Sequence, residues 1–124
     1  QLFPEVRSRR AQMLIALGRR DEARPLIEAL LVEGDHPDQR FLAGQALDPL
    51  IDLGELRRAE TLAYELRKSP DLYARYDAID ALIKVYQQTN RKPQARKLER
   101  EAARLAGEIQ RAEARAALDE GDDE

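Results

Sequence analysis

Three times, thirty-six residues apart, this chain sets a turn-forming residue five positions ahead of an alanine: Gly18 and Ala23, Gly54 and Ala59, Asn90 and Ala95. A fixed period of this size marks stacked helical units, because one short unit cannot bury its own apolar face and gains a core only from its neighbours. At the same offset, Leu14, Leu50 and Tyr86 form a column, as do Leu26, Leu62 and Leu98, then Leu30, Leu66 and Ala102, and finally Ala11, Leu47 and Ile83. Within each unit the apolar residues recur at steps of three and four, which gathers them on one face of a helix. Each unit is therefore two helices joined by a tight turn. The expected fold is all-α, an α-solenoid of three helix-turn-helix repeats with an extended C-terminal helix.

The punctuation agrees with the period. Gly18, Gly54 and Asn90 are residues that accept the left-handed conformation in which one helix ends before the next begins. Pro37 and Pro70 open first helices, with Ser69 as N-cap ahead of Pro70 and Asp71 adding negative charge to the first turn. The reading gives six helices, at residues 4–17, 20–33, 37–53, 55–68, 70–89 and 92–118. Pro25 falls early in the second helix and is tolerated there, whereas Pro49 lies inside the third and predicts a kink. The domain, residues 1–106, divides into units 4–36, 37–69 and 70–106. Residues 107–118 extend the last helix as a cap, and 119–124, ending in a run of like charges, are expected to be a disordered acidic tail.

Composition narrows the function by exclusion. The chain has 124 residues, enough for one domain with a core, and 36% of them are charged. A mean hydropathy of -0.66 suits amphipathic helices with solvated outer faces, and no run approaches a membrane span. The absence of cysteine removes disulfides, thiolate metal sites and thiol nucleophiles together, while leaving the compartment open, with the cytoplasm slightly favoured. The opening at Gln1 rather than methionine reads as a processed or truncated start. His36 is the single histidine, beside a loop proline, so histidine-pair metal sites and most acid-base schemes lack members. No phosphate-binding glycine loop or nucleophile motif is present. No catalytic residue, metal or cofactor is expected. Arg7, Arg9, Arg10, Arg19, Arg20 and Arg24 make the first third locally basic, but a net charge of -3 and 5% aromatic residues count against a nucleic-acid partner.

The segments LGRRDEA at 17–23 and LGELRRA at 53–59, with QTNRKPQA at 88–95 as a degenerate third copy, resemble the inter-helix turn of tetratricopeptide repeats. The resemblance spans residues 4 to about 106. The small residue early in each second helix is present as Ala23, Ala59 and Ala95, but the family's large aromatics are mostly replaced: Arg7, Ala43 and Ile79 stand at one such position and Ile27, Ala63 and Glu99 at the other. The period also exceeds the family's usual thirty-four. The resemblance implies a right-handed stack whose first helices line a groove for a peptide or helix of a partner protein. Its lining positions here are Glu5, Ser8, Gln12 and Ile15, then Phe41, Gly44, Gln45, Asp48 and Asp52, then Asp77, Asp80, Lys84 and Gln87. The positions that grip a terminal carboxylate in one groove type of the family read Ser8, Gln12, Gly44, Asp48, Asp80 and Lys84 here. With a single cation among them, carboxylate capture is not expected.

Asp48, Asp52, Asp77 and Asp80 are instead expected to form a negative strip that attracts a basic or amphipathic segment. The alternative is an ordinary solvated face, with Asp80 and Lys84 an i,i+4 pair worth roughly 0.2–0.5 kcal/mol. Gln12, Gln45 and Lys84 complete the candidate surface, and Phe41 and Tyr73 are candidate aromatic anchors, whereas Tyr76 and Tyr86 are assigned to the core. Ala95, Leu98, Ala102, Leu105, Ile109, Ala112 and Ala116 form an unbroken seam along the last helix. Beyond Gly107 that seam either folds back as a cap or projects toward another chain. Capping and a monomer are the favoured reading; assembly through this helix is the alternative.

Overall fold

The computed structural model describes residues 3–122, and among these every regular element is helical. The order is α1 (Pro4–Ala16), α2 (Arg20–Glu33), a 3₁₀ turn (Pro37–Gln39), α3 (Arg40–Gly44), α4 (Leu47–Asp52), α5 (Leu56–Leu66), α6 (Leu72–Gln88) and α7 (Lys92–Asp122).

The three periodic turns have one geometry. Gly18, Gly54 and Asn90 sit at φ of 78°, 83° and 59°. The next N–H in each case reaches back five residues, from Arg19 to Leu14 O (2.8 Å), Glu55 to Leu50 O (3.0 Å) and Arg91 to Tyr86 O (2.7 Å). This bond, the Schellman closure, satisfies a helix-terminal carbonyl and turns the chain sharply into the next helix. Arg91 also lies over the Tyr86 ring, 4.4 Å from its centroid, and pairs with Glu60 at 2.9 Å.

The alanines that follow the turns are packing residues. Ala23 and Ala59 are wholly buried and Ala95 is nearly so, and around them Leu30, Leu50 and Leu66 are also fully enclosed. First helices pack on first helices, α1 against α4 and both α3 and α4 against α6. The second helices α2 and α5 are bridged by long side chains, Arg58 to Glu28 (2.7 Å) and Arg24 to Glu55 (3.0 Å), and α5 is bridged to α7 by Arg67 and Glu101 (2.7 Å).

The expected third helix is broken rather than kinked. Pro49 carries no N–H for the carbonyl of Gln45 and its ring crowds that carbonyl, so the helix ends at Gly44 and resumes at Leu47. The freed Gln45 carbonyl accepts a hydrogen bond from Ser8 Oγ at 2.7 Å. Ser8, expected to look outward, is accordingly buried. The start of α6 also moves. Asp71 serves as its N-cap, accepting from Tyr73 N–H (2.9 Å) and Ala74 N–H (3.3 Å), while Ser69 Oγ receives the Asp71 N–H, so Pro70 stays outside the helix.

The last helix departs most from expectation. It runs 31 residues, about 46 Å. Leu105 is buried and Ile109 packs on the core, but residues 110–121 are exposed. The cap therefore ends near Ile109, apart from Tyr73 Oη donating to Glu113, and the helix continues through 119–122 in place of the expected disordered tail. Residues 123 and 124 lie outside the described residues. Extending an existing helix fixes one residue per hydrogen bond gained, and Ala116, Ala117 and Leu118 are strong helix formers, which favours propagation over fraying.

Candidate interaction face on the first helices

The residues selected from the sequence converge mainly on α4 and α6. Lys84 Nζ lies 2.8 Å from Asp48 Oδ1 and 3.1 Å from Asp80 Oδ2, joining α4 to α6 across thirty-six residues. Asp77, one turn before Asp80, is half-buried against α3. The backbone of Gly44 makes the room, since a Cβ built there would stand 2.9 Å from Asp77 Oδ2. On the α1 side, Gln12 Nε2 donates to Asp52 Oδ2 at 2.9 Å. The surface thus holds three carboxylates around one ammonium, extended by an amide-capped fourth.

Its electrostatics are unbalanced. Burial, reinforced by the charges of Asp48, Asp80 and Asp71, pushes the Asp77 carboxyl from 3.8 up to about 6, with Lys84 pulling in the opposite direction. Burial works against the Lys84 ammonium, but its hydrogen bonds to Asp48 and Asp80 outweigh this and hold it above its ordinary value. Asp77 accepts no hydrogen bond from the described residues, so its partly buried carboxylate depends on the water that still reaches it.

The remaining candidates divide. Phe41 on α3 is 36% exposed and Gln45, in the break after α3, is half-buried with its carbonyl held by Ser8. Tyr73 is exposed but committed to Glu113 of α7; that hydrogen bond, then burial, raises its phenol above the ordinary range. Tyr76, expected in the core, is instead 36% exposed. It stands four residues before Asp80 and three after Tyr73, the spacing of one helical face, and that register is the signal that identifies it as part of this surface. Tyr86 is buried, with its hydroxyl hydrogen-bonded to that of Tyr64.

Four of the six early arginines are engaged in the fold. Arg7 pairs with Glu33 and Arg24 with Glu55, while Arg19 holds Glu22 and Arg20 donates to the Leu53 carbonyl. Arg9 and Arg10 form no ion pair among the described residues. A cleft of about 670 Å³ lies elsewhere, between α2, α3 and α5, lined by Leu31, Arg40, Leu56, Arg58, Leu62 and Glu65. It contains none of Asp48, Asp52, Asp77 and Asp80, and beside its leucines it is walled by Glu55 and Arg58, which pair with side chains of α2. His36 stands at the N-cap position of the 3₁₀ turn with no side-chain capping bond, and among the described residues no group of three or more His, Cys, Asp or Glu side chains is arranged to hold a metal ion. No described helix is long and apolar enough to cross a membrane. Comparison of the chain with protein-family models, with curated proteins and with solved structures gave no match.

Proposed function

We propose that this chain is a non-enzymatic interaction module, a three-repeat helical solenoid of the tetratricopeptide-like kind, whose first-helix face binds a basic or amphipathic segment of a partner protein. The observation that carries this reading is Asp77. A carboxylate half-buried among Asp48, Asp80 and Asp71, with one lysine and no hydrogen-bond donor among the described residues, is costly to the free chain and is relieved by an incoming cation. The repeat architecture is supported by the three turns of one geometry at a thirty-six-residue spacing. A groove on this side is supported by the direct packing of the first helices, while the second helices meet through long side chains beside an open cleft, a difference that curves a stack toward its first helices.

The test is a titration with two helical peptides of equal length and apolar face, one lysine-rich and one glutamate-rich, at low and moderate salt. The wild-type chain is expected to bind only the lysine-rich peptide, more weakly as salt rises. Asp48→Lys with Asp80→Lys is expected to lower that affinity by about tenfold or more, roughly 1.4 kcal/mol. Equal affinity in the wild-type and reversed chains sinks the proposal.

A second reading, assembly through the end of α7, rests on residues 110–121 being exposed along a helix that has left the core. Sedimentation across a wide concentration range tests it. A monomer throughout removes it.

A further inference from the structure

The two ends of the helix stack are unlike. On α1, Val6 and Met13 are 46% and 61% exposed, and Leu17 beyond the helix end is 69% exposed, at steps of seven and four residues. The counterparts of Val6 and Met13 thirty-six and seventy-two residues on are enclosed, as is Leu53, thirty-six residues after Leu17. Val6 corresponds to Leu42 (4% exposed) and Ala78 (0%), and Met13 to Pro49, which is fully buried, and Val85 (1%). Arg10, between them, corresponds to Ala46 and Leu82, both fully buried.

The cause is a missing neighbour. Helix α6 packs on its own hairpin partner α7 and also on α3, α4 and α5 of the preceding unit, whereas α1 packs chiefly on its partner α2 and on the following α4. The face that α6 buries against the preceding unit is the face that α1 leaves open. Val6, Arg9, Arg10 and Met13, with Glu5, line a shallow depression of about 520 Å³ there. The other end is closed differently. Glu99 and Ala103 of α7, at the positions of the buried Ile27 and the half-buried Leu31 of α2, are exposed, and their neighbours Arg96 and Arg100 present charge to solvent. The C-terminal end is thus a polar cap and the N-terminal end an uncapped apolar stripe.

We propose that the α1 edge is a docking surface for a helix-turn-helix unit of a partner protein, stacked on α1 as α5 stacks on α6. Its second helix presents an aliphatic and alanine stripe to Val6 and Met13, with carboxylates beside Arg9 and Arg10. Repetition argues for this occupant, since the surface continues an interface the chain already makes twice internally, and so does charge. A second copy docking α1 on α1 would set Arg9 and Arg10 against the same arginines, and docking the polar α7 cap on α1 would leave the stripe facing charge. This surface lies on a different face from the carboxylates of α4 and α6 and stands independently of binding there.

The experiment supplies such a unit in register, by fusing an additional copy of residues 37–72 ahead of Gln1 in the full chain, and compares Val6→Asp with Met13→Asp in the fused and unfused proteins. If the edge is a stacking surface, the fusion unfolds as one cooperative unit with a melting temperature raised by at least about 5 °C. The double aspartate substitution removes that gain in the fusion while leaving the unfused chain, where both side chains are exposed, within about 2 °C of wild type. An added segment that melts separately or leaves the melting temperature unchanged overturns the proposal. Concentration-dependent self-association of the unfused chain that Val6→Asp with Met13→Asp abolishes also overturns it, in favour of a second copy.

Discussion

Asp77→Asn isolates the cost of the carboxylate face. The Asp77 carboxyl is raised from 3.8 to about 6 by burial and by the charges of Asp48, Asp80 and Asp71. For a fully buried, isolated group that displacement corresponds to roughly 3 kcal/mol; because Asp77 keeps part of its surface in water, about 1–2 kcal/mol is the working figure. The native state holds its proton more tightly than the unfolded chain does. Stability from this group is therefore fully present below about pH 3.8 and is lost as pH rises through about 6. Asparagine has a similar shape and no charge to desolvate. Asp77→Asn should thus be more stable than wild type by about 1–2 kcal/mol at about pH 7.5, with the difference shrinking through about pH 6 and vanishing near about pH 4.

Denaturant unfolding of both proteins across that pH range measures this difference. The comparison cancels acid-sensitive pairs such as Arg58 with Glu28 and Arg7 with Glu33, which depress their carboxyls and act in the opposite direction. Carbonyl-carbon NMR places the Asp77 midpoint directly. The same substitution should weaken capture of the lysine-rich peptide although it strengthens the fold, a separation of stability from binding that a purely structural carboxylate does not give. A neutral or destabilising Asp77→Asn above the raised midpoint, or a midpoint at the ordinary aspartate value, refutes the reasoning.

Ser8→Ala leaves the Gln45 carbonyl without its donor and should cost about 1–3 kcal/mol. In a Pro49→Ala background the restored N–H of residue 49 can serve that carbonyl, so the two substitutions should be non-additive by about 1 kcal/mol in chemical denaturation. Gly34→Ala places a Cβ 2.3 Å from the backbone nitrogen of Ala43 and should destabilise by at least about 2 kcal/mol, read as a loss of several degrees in melting temperature. Gly107→Ala meets only the flexible end of Arg111 at 3.3 Å within a helix and should stabilise by roughly 0.5–1 kcal/mol in the same assay.

Features set by residues close together along the chain are legible in the sequence alone. Gly18, Gly54 and Asn90 each need only their own backbone conformation to end a helix, so the period by itself locates three turns of one geometry. Pro49 acts on a carbonyl four residues away, so an interruption near it is also foreseeable, although not its completion into a break with Ser8 as the substitute donor. What escapes depends on a second helix whose register one helix cannot report. Ser8 occupies an outward position if a first helix is considered alone, but it faces a carbonyl that only the packing of α1 on α4 brings within reach. Tyr76 fits the apolar stripe of α6 by period, yet lies at its edge beside Asp77 and emerges into solvent.

The carboxylate face shows both sides of this limit. The spacing of Asp48, Asp80 and Lys84 at multiples of four and thirty-six makes their convergence predictable, since one step is a helical turn and the other the spacing of the three turns. The distinct character of Asp77 is not predictable in this way, because it comes from Gly44 of another helix. Without a Cβ at residue 44, α6 brings its carboxylate against the α3 backbone and partly out of water. Gly44→Ala should therefore act through Asp77, displacing the carboxylate outward and lowering its midpoint toward the ordinary aspartate value. In an Asp77→Ala background the same Gly44 change meets no carboxylate and should cost less. If Gly44→Ala leaves the Asp77 midpoint near 6, burial against α3 is not what raises it, and the neighbouring aspartates alone must account for the strain on this face.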